Sequence, residues 1–311
     1  MKEKERESGI DLTTRIGRLT LKNPVIVASG TFGYGEEYKD YVDLKRLGAV
    51  VTKTVTLNPR TGNPPPRLFE TAAGLLNSIG LENPGVRVFI EEKLPFLRKI
   101  GVDLIVSIAG ERQEEYLEIA QMLGRMEGIK AIEVNVSCPN VESGPLQIGK
   151  DPELVFLLVE KLKKVTSLPL LVKLSPQIGR IIELAQAVRE GGADGLSLIN
   201  TFPAMAIDVE NMRPRLGGVT GGLSGPAIKP VALRIVWEVF RNVDIPIIGM
   251  GGIMSAEDAI EFFLVGARAV AIGTANFIDP GISLRIIEDL KKYLSERKIK
   301  SFSEIVGGIK V

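Results

Sequence analysis

The chain has no histidine and a single cysteine, Cys138. Without histidine there is no Ser-His-Asp triad, no imidazole general base and no His-ligated metal. One cysteine excludes a disulfide within the chain, a zinc ribbon and a four-cysteine iron–sulfur cluster, and fits a reducing, cytoplasmic setting. Charge of one sign is not in excess: 39 basic and 38 acidic residues leave a net +1. That balance argues against a nucleic-acid binder. No apolar run reaches the roughly 20 residues of a membrane helix. The first residues, Met1-Lys-Glu-Lys-Glu-Arg-Glu-Ser8, mix charges with no apolar stretch behind them, so residues 1–10 read as a flexible, solvated lead-in and not a signal peptide.

What is present is ordinary globular material: 311 residues, 45 % hydrophobic and 25 % charged. Surface scaling gives roughly 13,000 Å² folded against about 49,000 Å² unfolded, enough burial for one large core. Short β-rich apolar runs alternate with segments of helical period. A hairpin at 11–23 is followed by strands at Val25–Ser29, Ala49–Val55, Asp103–Ile108, Ala131–Ser137, Leu170–Leu174, Asp194–Ile199, Pro246–Met250 and Ala269–Ile272. The helices expected between and after them are Glu36–Leu47, Pro84–Ile100, Glu111–Met126, Pro152–Thr166, Ile178–Glu190, Lys229–Asn242, Ser255–Val265 and Gly281–Ser295. Apolar spacing such as Ile181, Leu184, Ala185 and Val188 marks a helix face. Eight βα units predict a closed (β/α)₈ TIM barrel, an α/β fold, in one domain spanning 1–311. A doubly wound open sheet is the runner-up, disfavoured because no leading nucleotide fingerprint is present. Two stretches, 56–77 and 201–225, exceed what barrel loops need. Both follow strands, so both extend the C-terminal face, where lids and binding loops sit.

Barrel chemistry concentrates at strand C-termini. Those ends read Ser29-Gly30-Thr31, Lys53-Thr54, Ser107, Asn135 to Asn140, Lys173, Asn200-Thr201, Gly251-Gly252 and Gly273-Thr274. Lys53 and Lys173 lie in apolar strands, where an ammonium is costly unless it meets an anion. The anion is either a ligand or a neighbouring carboxylate such as Glu133. Gly251-Gly252 before a helix, with Ser255 and Asp258 placed as a capping box, and Gly273-Thr274 after the eighth strand suit a phosphate. Tight turns alone would also explain the glycines. Cys138 follows a strand end between Asn135 and Asn140, and few other side chains here can move a proton near neutral pH. Asn77, Asn135, Asn140 and Asn200 are neutral donor–acceptors suited to a flat amide-bearing ring.

Taken together, Asn77-Ser-Ile-Gly-Leu81-Glu-Asn-Pro-Gly85, Asn135-Val-Ser-Cys-Pro-Asn140, Gly222-Leu-Ser-Gly-Pro-Ala-Ile-Lys-Pro230, Gly249-Met-Gly-Gly252 and Gly273-Thr-Ala-Asn-Phe277 resemble dihydroorotate dehydrogenase from about Leu12 to the end. The cysteine marks class 1, and Ser-Gly-Pro-Ala-Ile-Lys-Pro is most like the FMN subunit of subclass 1B. The resemblance implies oxidation of dihydroorotate to orotate in pyrimidine biosynthesis, with Cys138 as base and hydride passing to FMN. It further implies a partner subunit with FAD and a 2Fe–2S cluster that reduces NAD, and a homodimer at the core of a heterotetramer. Substrate would be held by Lys53, Asn77, Ser78, Ile79, Gly80, Leu81, Asn135, Asn140, Asn200 and Thr201. FMN would be held by Ser29, Lys53, Thr54, Ser107, Asn135, Lys173, Ile199, Gly225, Gly251, Gly252, Gly273 and Thr274. Ser107 departs from the family's usual asparagine, so a single shorter hydroxyl stands where an amide would meet the flavin. Fumarate-linked subclass 1A, a dihydropyrimidine dehydrogenase-like barrel and an inactive FMN-binding scaffold are the alternatives.

Overall fold

The computed structural model describes residues 9–136, 148–176 and 179–310. A hairpin, β1 (Thr14–Ile16) and β2 (Leu19–Leu21), leads into β3 (Val25–Val27) and β4 (Val50–Val51). Next come β5 (Leu68–Thr71), β6 (Gly74–Asn77), α1 (Gly85–Val88), a π turn at Phe89–Lys93 and α2 (Leu94–Ile100). Then follow β7 (Leu104–Ile108), α3 (Gln113–Gly124), β8 (Ile129–Asn135), α4 (Pro152–Val165), β9 (Leu170–Lys173), α5 (Ile181–Glu190) and β10 (Gly195–Leu198). Four short strands follow: β11 (Phe202–Ala204), β12 (Ile207–Asp208), β13 (Arg213–Pro214) and β14 (Gly221–Ser224). The chain continues through α6 (Lys229–Asn242), β15 (Ile247–Met250), α7 (Ala256–Leu264), β16 (Ala269–Ile272), α8 (Ala275–Ile278) and α9 (Ile282–Glu296). Among the described residues no helix is long and apolar enough to cross a membrane.

Strands β3, β4, β7, β8, β9, β10, β15 and β16 close into the expected barrel, with β16 pairing in parallel to β3. These strands are apolar on both faces because one face packs inside the barrel and the other under helices. In β8 the alternation is direct. Ile132 and Val134 join the outer core under the helices, whereas Ala131 joins the inner one. The inner core continues into the hairpin: Ile16, Leu19 and Leu21 pack with Ile26, Ile105, Leu171, Ile248 and Ala269. The hairpin therefore plugs the N-terminal end of the barrel. Arg18, in its turn, pins the plug to Asp194, just ahead of β10.

One expectation needs correction. No helix spans 36–47, which forms turns and one 3₁₀ turn at Leu44–Arg46. Tyr38 stacks on Phe32 with ring centres 3.8 Å apart and donates to the Thr31 carbonyl, so the segment is tied back on itself. Asp43 then accepts from Lys45 N–H, a local bond that competes with helix. The two long loops extend the C-terminal face as expected. They pair with each other in an antiparallel sheet ordered β11-β14-β6-β5, a roof over the C-terminal face.

Candidate active site

A cavity of about 1090 Å³ opens between the barrel's C-terminal strand ends and this roof. Single-ligand pockets run to about 1,000 Å³, so there is room for a cofactor and a small ring together. Ala28, Ala271 and Met250 lie at its base, where small side chains leave depth.

Each of the eight strands ends at or near this cavity. From β3 and β4 come Ser29, Lys53 and Thr54; from β8 and β9, Asn135 and Lys173; from β10, Ile199, Asn200 and Thr201. Asn135 stands beside Lys173 in the parallel register, and Tyr116 OH holds the Asn135 carbonyl at 3.0 Å. Lys173 is 5 % exposed and its Nζ donates to Ser29 Oγ at 3.1 Å. Asn200 Oδ1 accepts from the Thr201 N–H. Glu133, the carboxylate considered as a partner for the lysines, is buried with its Oε1 unpartnered among the described residues. Lys53 instead faces Glu82.

Ser107 does not line the cavity. It is fully buried, and its hydroxyl shares a 3.0 Å hydrogen bond with Thr54 Oγ1, which covers it. A serine is too short to reach past that threonine.

The roof contributes the Asn77–Leu81 run. Asn77 sits opposite Gly222 in the sheet and its Nδ2 donates to the Gly222 carbonyl. Asn63 Nδ2 donates to Ser78 Oγ at 2.8 Å. Gly80 has φ +72, and a Cβ there would lie 2.4 Å from Asn63 Oδ1, so the turn that places Ile79 and Leu81 at the cavity requires glycine.

The glycine strand ends form a separate wall with Gly225, Gly251, Gly252, Gly273 and Thr274. Gly252, at φ +77, touches the segment beginning at Gly225: a Cβ would meet the Gly225 carbonyl at 2.8 Å and Lys229 Cβ at 2.7 Å. Side chains at Gly30 or Gly273 would find no neighbour within 3.7 Å, so these two positions leave a cradle open to the cavity. Behind the wall, Ser255 Oγ caps α7 by accepting from Asp258 N–H. The other half of the expected box is replaced. Asp258 accepts from Met254 N–H at 2.8 Å and from Lys229 Nζ at 2.5 Å, while Glu261 also reaches Lys229. Burial pushes the Asp258 carboxyl up, but Lys229, the Met254 N–H and Ser255 outweigh it and hold it below its usual range.

Sequence reasoning missed Asn63, Glu82, Ser224 and the ion pair Lys229–Asp258. Glu82 lies inside the Asn77–Gly85 motif, but nothing local shows that it meets Lys53. Ser224 Oγ accepts from Thr274 Oγ1 at 2.8 Å, a contact between distant segments. Cys138 and Asn140 lie outside the described residues.

Comparison with known proteins adds a family. The dihydroorotate dehydrogenase family profile matches residues 11–294. The chain is similar to proteins named dihydroorotate dehydrogenase B (NAD(+)), catalytic subunit, from three organisms. Identity to the one from Desulforudis audaxviator is 54 %, covering 94 % of this chain and 95 % of that protein. For Desulforamulus reducens the identity is 53 %, covering 96 % and 98 %. For Thermoanaerobacter pseudethanolicus it is 51 %, covering 97 % and 100 %.

Proposed function

The chain belongs to the dihydroorotate dehydrogenase family, and from that premise we propose that it is the FMN-bearing catalytic subunit of an NAD-linked enzyme oxidising dihydroorotate to orotate in pyrimidine biosynthesis. The observation that carries this reading is one cavity that brings together Lys53, Lys173, Asn77, Asn135, Asn200 and the glycine strand ends.

FMN suits these residues. The cradle left open at Gly30 and Gly273 has the space a phosphate needs, beside the backbone of Gly251, Gly252 and Thr274. Bound there, FMN supplies a two-electron acceptor for the hydride that leaves C6 of dihydroorotate. Lys173, buried at the strand end, places a fixed cation where negative charge gathers on reduction. Ser29, Thr54, Ile199 and Gly225 complete the flavin wall, and Ser107 supports it only through Thr54. Asn77, Asn135, Asn200 and Thr201, with Asn140 from the adjoining motif, present amides and a hydroxyl to the ring's polar edges. Lys53 meets the substrate carboxylate, and Ser78, Ile79, Gly80 and Leu81 close over the ring. Cys138 Sγ takes the proton from C5.

This chain offers no site for a second redox centre of the iron–sulfur type, because it has one cysteine. The likeness to catalytic subunits named for NAD(+) supplies the acceptor in this reading: a separate subunit carrying FAD and a 2Fe–2S cluster, assembled on a homodimer of this chain, from which electrons pass to NAD. The test is anaerobic. Purified protein should release FMN, identified by mass, and its flavin absorbance should bleach with dihydroorotate but not with dihydrouracil. NAD⁺ should be reduced only after the partner is added. Turnover of the isolated chain with fumarate would move it to the fumarate-linked subclass, and a flavin that dihydroorotate leaves unbleached would make it a binding scaffold.

A further inference from the structure

Lys53, Glu82 and Arg67 form a chain of charges in which the middle member is shared unequally. Glu82 Oε2 accepts from Arg67 Nη1 at 2.8 Å, and the same oxygen lies 3.5 Å from Lys53 Nζ. Arg67 is itself fixed: its Nε donates to the Asn63 carbonyl at 2.6 Å and its Nη2 to the Thr61 carbonyl at 2.8 Å. Among the described residues Lys53 has no other ion-pair partner. Lys53 and Glu82 both line the cavity, whereas Arg67 does not. The carboxylate is thus anchored from behind and only leans on the lysine.

We propose that Glu82 is an internal stand-in for the substrate's carboxylate, deepening the reading of Lys53 as a substrate ligand and resting on it. Before a ligand enters, Glu82 keeps the Lys53 ammonium compensated. An incoming carboxylate displaces Glu82 from Lys53, and Glu82 stays compensated by Arg67, so the exchange strands no charge. The Lys53 ammonium and the Arg67 hydrogen bond hold the Glu82 carboxyl below its usual range, so it is an anion throughout the neutral region. A neutral ring cannot make the exchange, which separates carboxylate-bearing pyrimidines from those without one. The cost is competition: Glu82 weakens orotate binding by the strength of a half-exposed ion pair.

The test titrates the FMN-loaded full-length protein with orotate and with uracil, reading the flavin's absorbance perturbation for dissociation constants. Glu82→Gln keeps an oxygen for Arg67 but removes the charge. It should tighten orotate about two- to fivefold and leave uracil unchanged. In a Lys53→Met background, where orotate should bind more weakly, the same change should have no effect. Orotate binding that is weaker or unchanged in Glu82→Gln overturns the proposal. So does an effect that persists without Lys53, which would be the diffuse field of a negative charge. Undiminished orotate affinity in Lys53→Met removes the Lys53 assignment, and the stand-in with it.

Discussion

Asp194 links the hairpin plug to the barrel, and its contribution should be readable as a pH-dependent stability. Its side chain is 5 % exposed. Oδ1 accepts from Arg18 Nε at 2.8 Å, and Oδ2 accepts from Leu170 N–H at 3.0 Å and Lys163 Nζ at 3.1 Å. Burial raises its pKa, but Arg18, the Leu170 N–H and Lys163 outweigh it and bring the carboxyl from 3.8 to about 2. That difference corresponds to about 2 kcal/mol, taken at the low end because Arg18 is half exposed. The folded pKa is depressed, so this stability is fully present above about pH 5. It is lost as pH falls through the folded value, with roughly half gone by pH 3. Asp194→Asn should therefore lower the thermal midpoint by about 3 °C at pH 7. The gap to wild type should narrow at pH 4 and be about half as large at pH 3. The assay is matched thermal unfolding of both proteins at fixed scan rate across that range. A gap of equal size at pH 7 and pH 3 would assign the loss to packing and refute the electrostatic account.

Three further outcomes are expected. Cys138→Ala should retain bound FMN yet lose most of its reduction by dihydroorotate, measured by anaerobic stopped-flow bleaching; reduction at the wild-type rate would give the base to another group. Lys173→Ala should weaken FMN and make its reduced form harder to reach, read from flavin titration and potentiometry, with orotate affinity changed less. Lys229→Met should loosen the wall that joins Gly252 to Gly225, weakening FMN severalfold while leaving riboflavin, which lacks the phosphate, bound as before; Lys229→Arg should restore FMN. Equal losses for both flavins would show a general effect on the fold.

The barrel was legible because its signal is repeated eight times and each parallel strand is buried on both faces, leaving apolar runs such as Leu170–Val172 and Ala269–Ile272. Lys53, Lys173 and the glycine pairs stood out because a strand's C-terminal end is fixed by where its apolar run stops. The segment 36–47 misled because Tyr38, Tyr41 and Val42 have helical spacing, but Tyr38 spends its contacts on Phe32 and Thr31. The roof was not legible: Phe202–Ala204 and Gly221–Ser224 read as strands only when Asn77 is placed beside Gly222, 145 residues away. The pairing of Lys53 with Glu82 depends on the same long-range assembly. Ser107 was placed correctly at a strand end, but its distance from the cavity depends on Thr54, which no local pattern reveals.

That roof also orders events during synthesis. Its strands β6 and β14 are separated by a stretch that a ribosome takes roughly 10–30 s to make. Until β14 emerges, β6 presents an open edge carrying Leu75 and Leu76, the kind of edge that recruits other chains. The barrel itself stays open longer, because β16 must pair with β3 near the start of the chain. A cofactor held by both Thr54 and Gly273 can therefore act only on a nearly finished chain. Cofactor supply during growth should raise the yield of folded protein without rescuing chains that stop before the last strand.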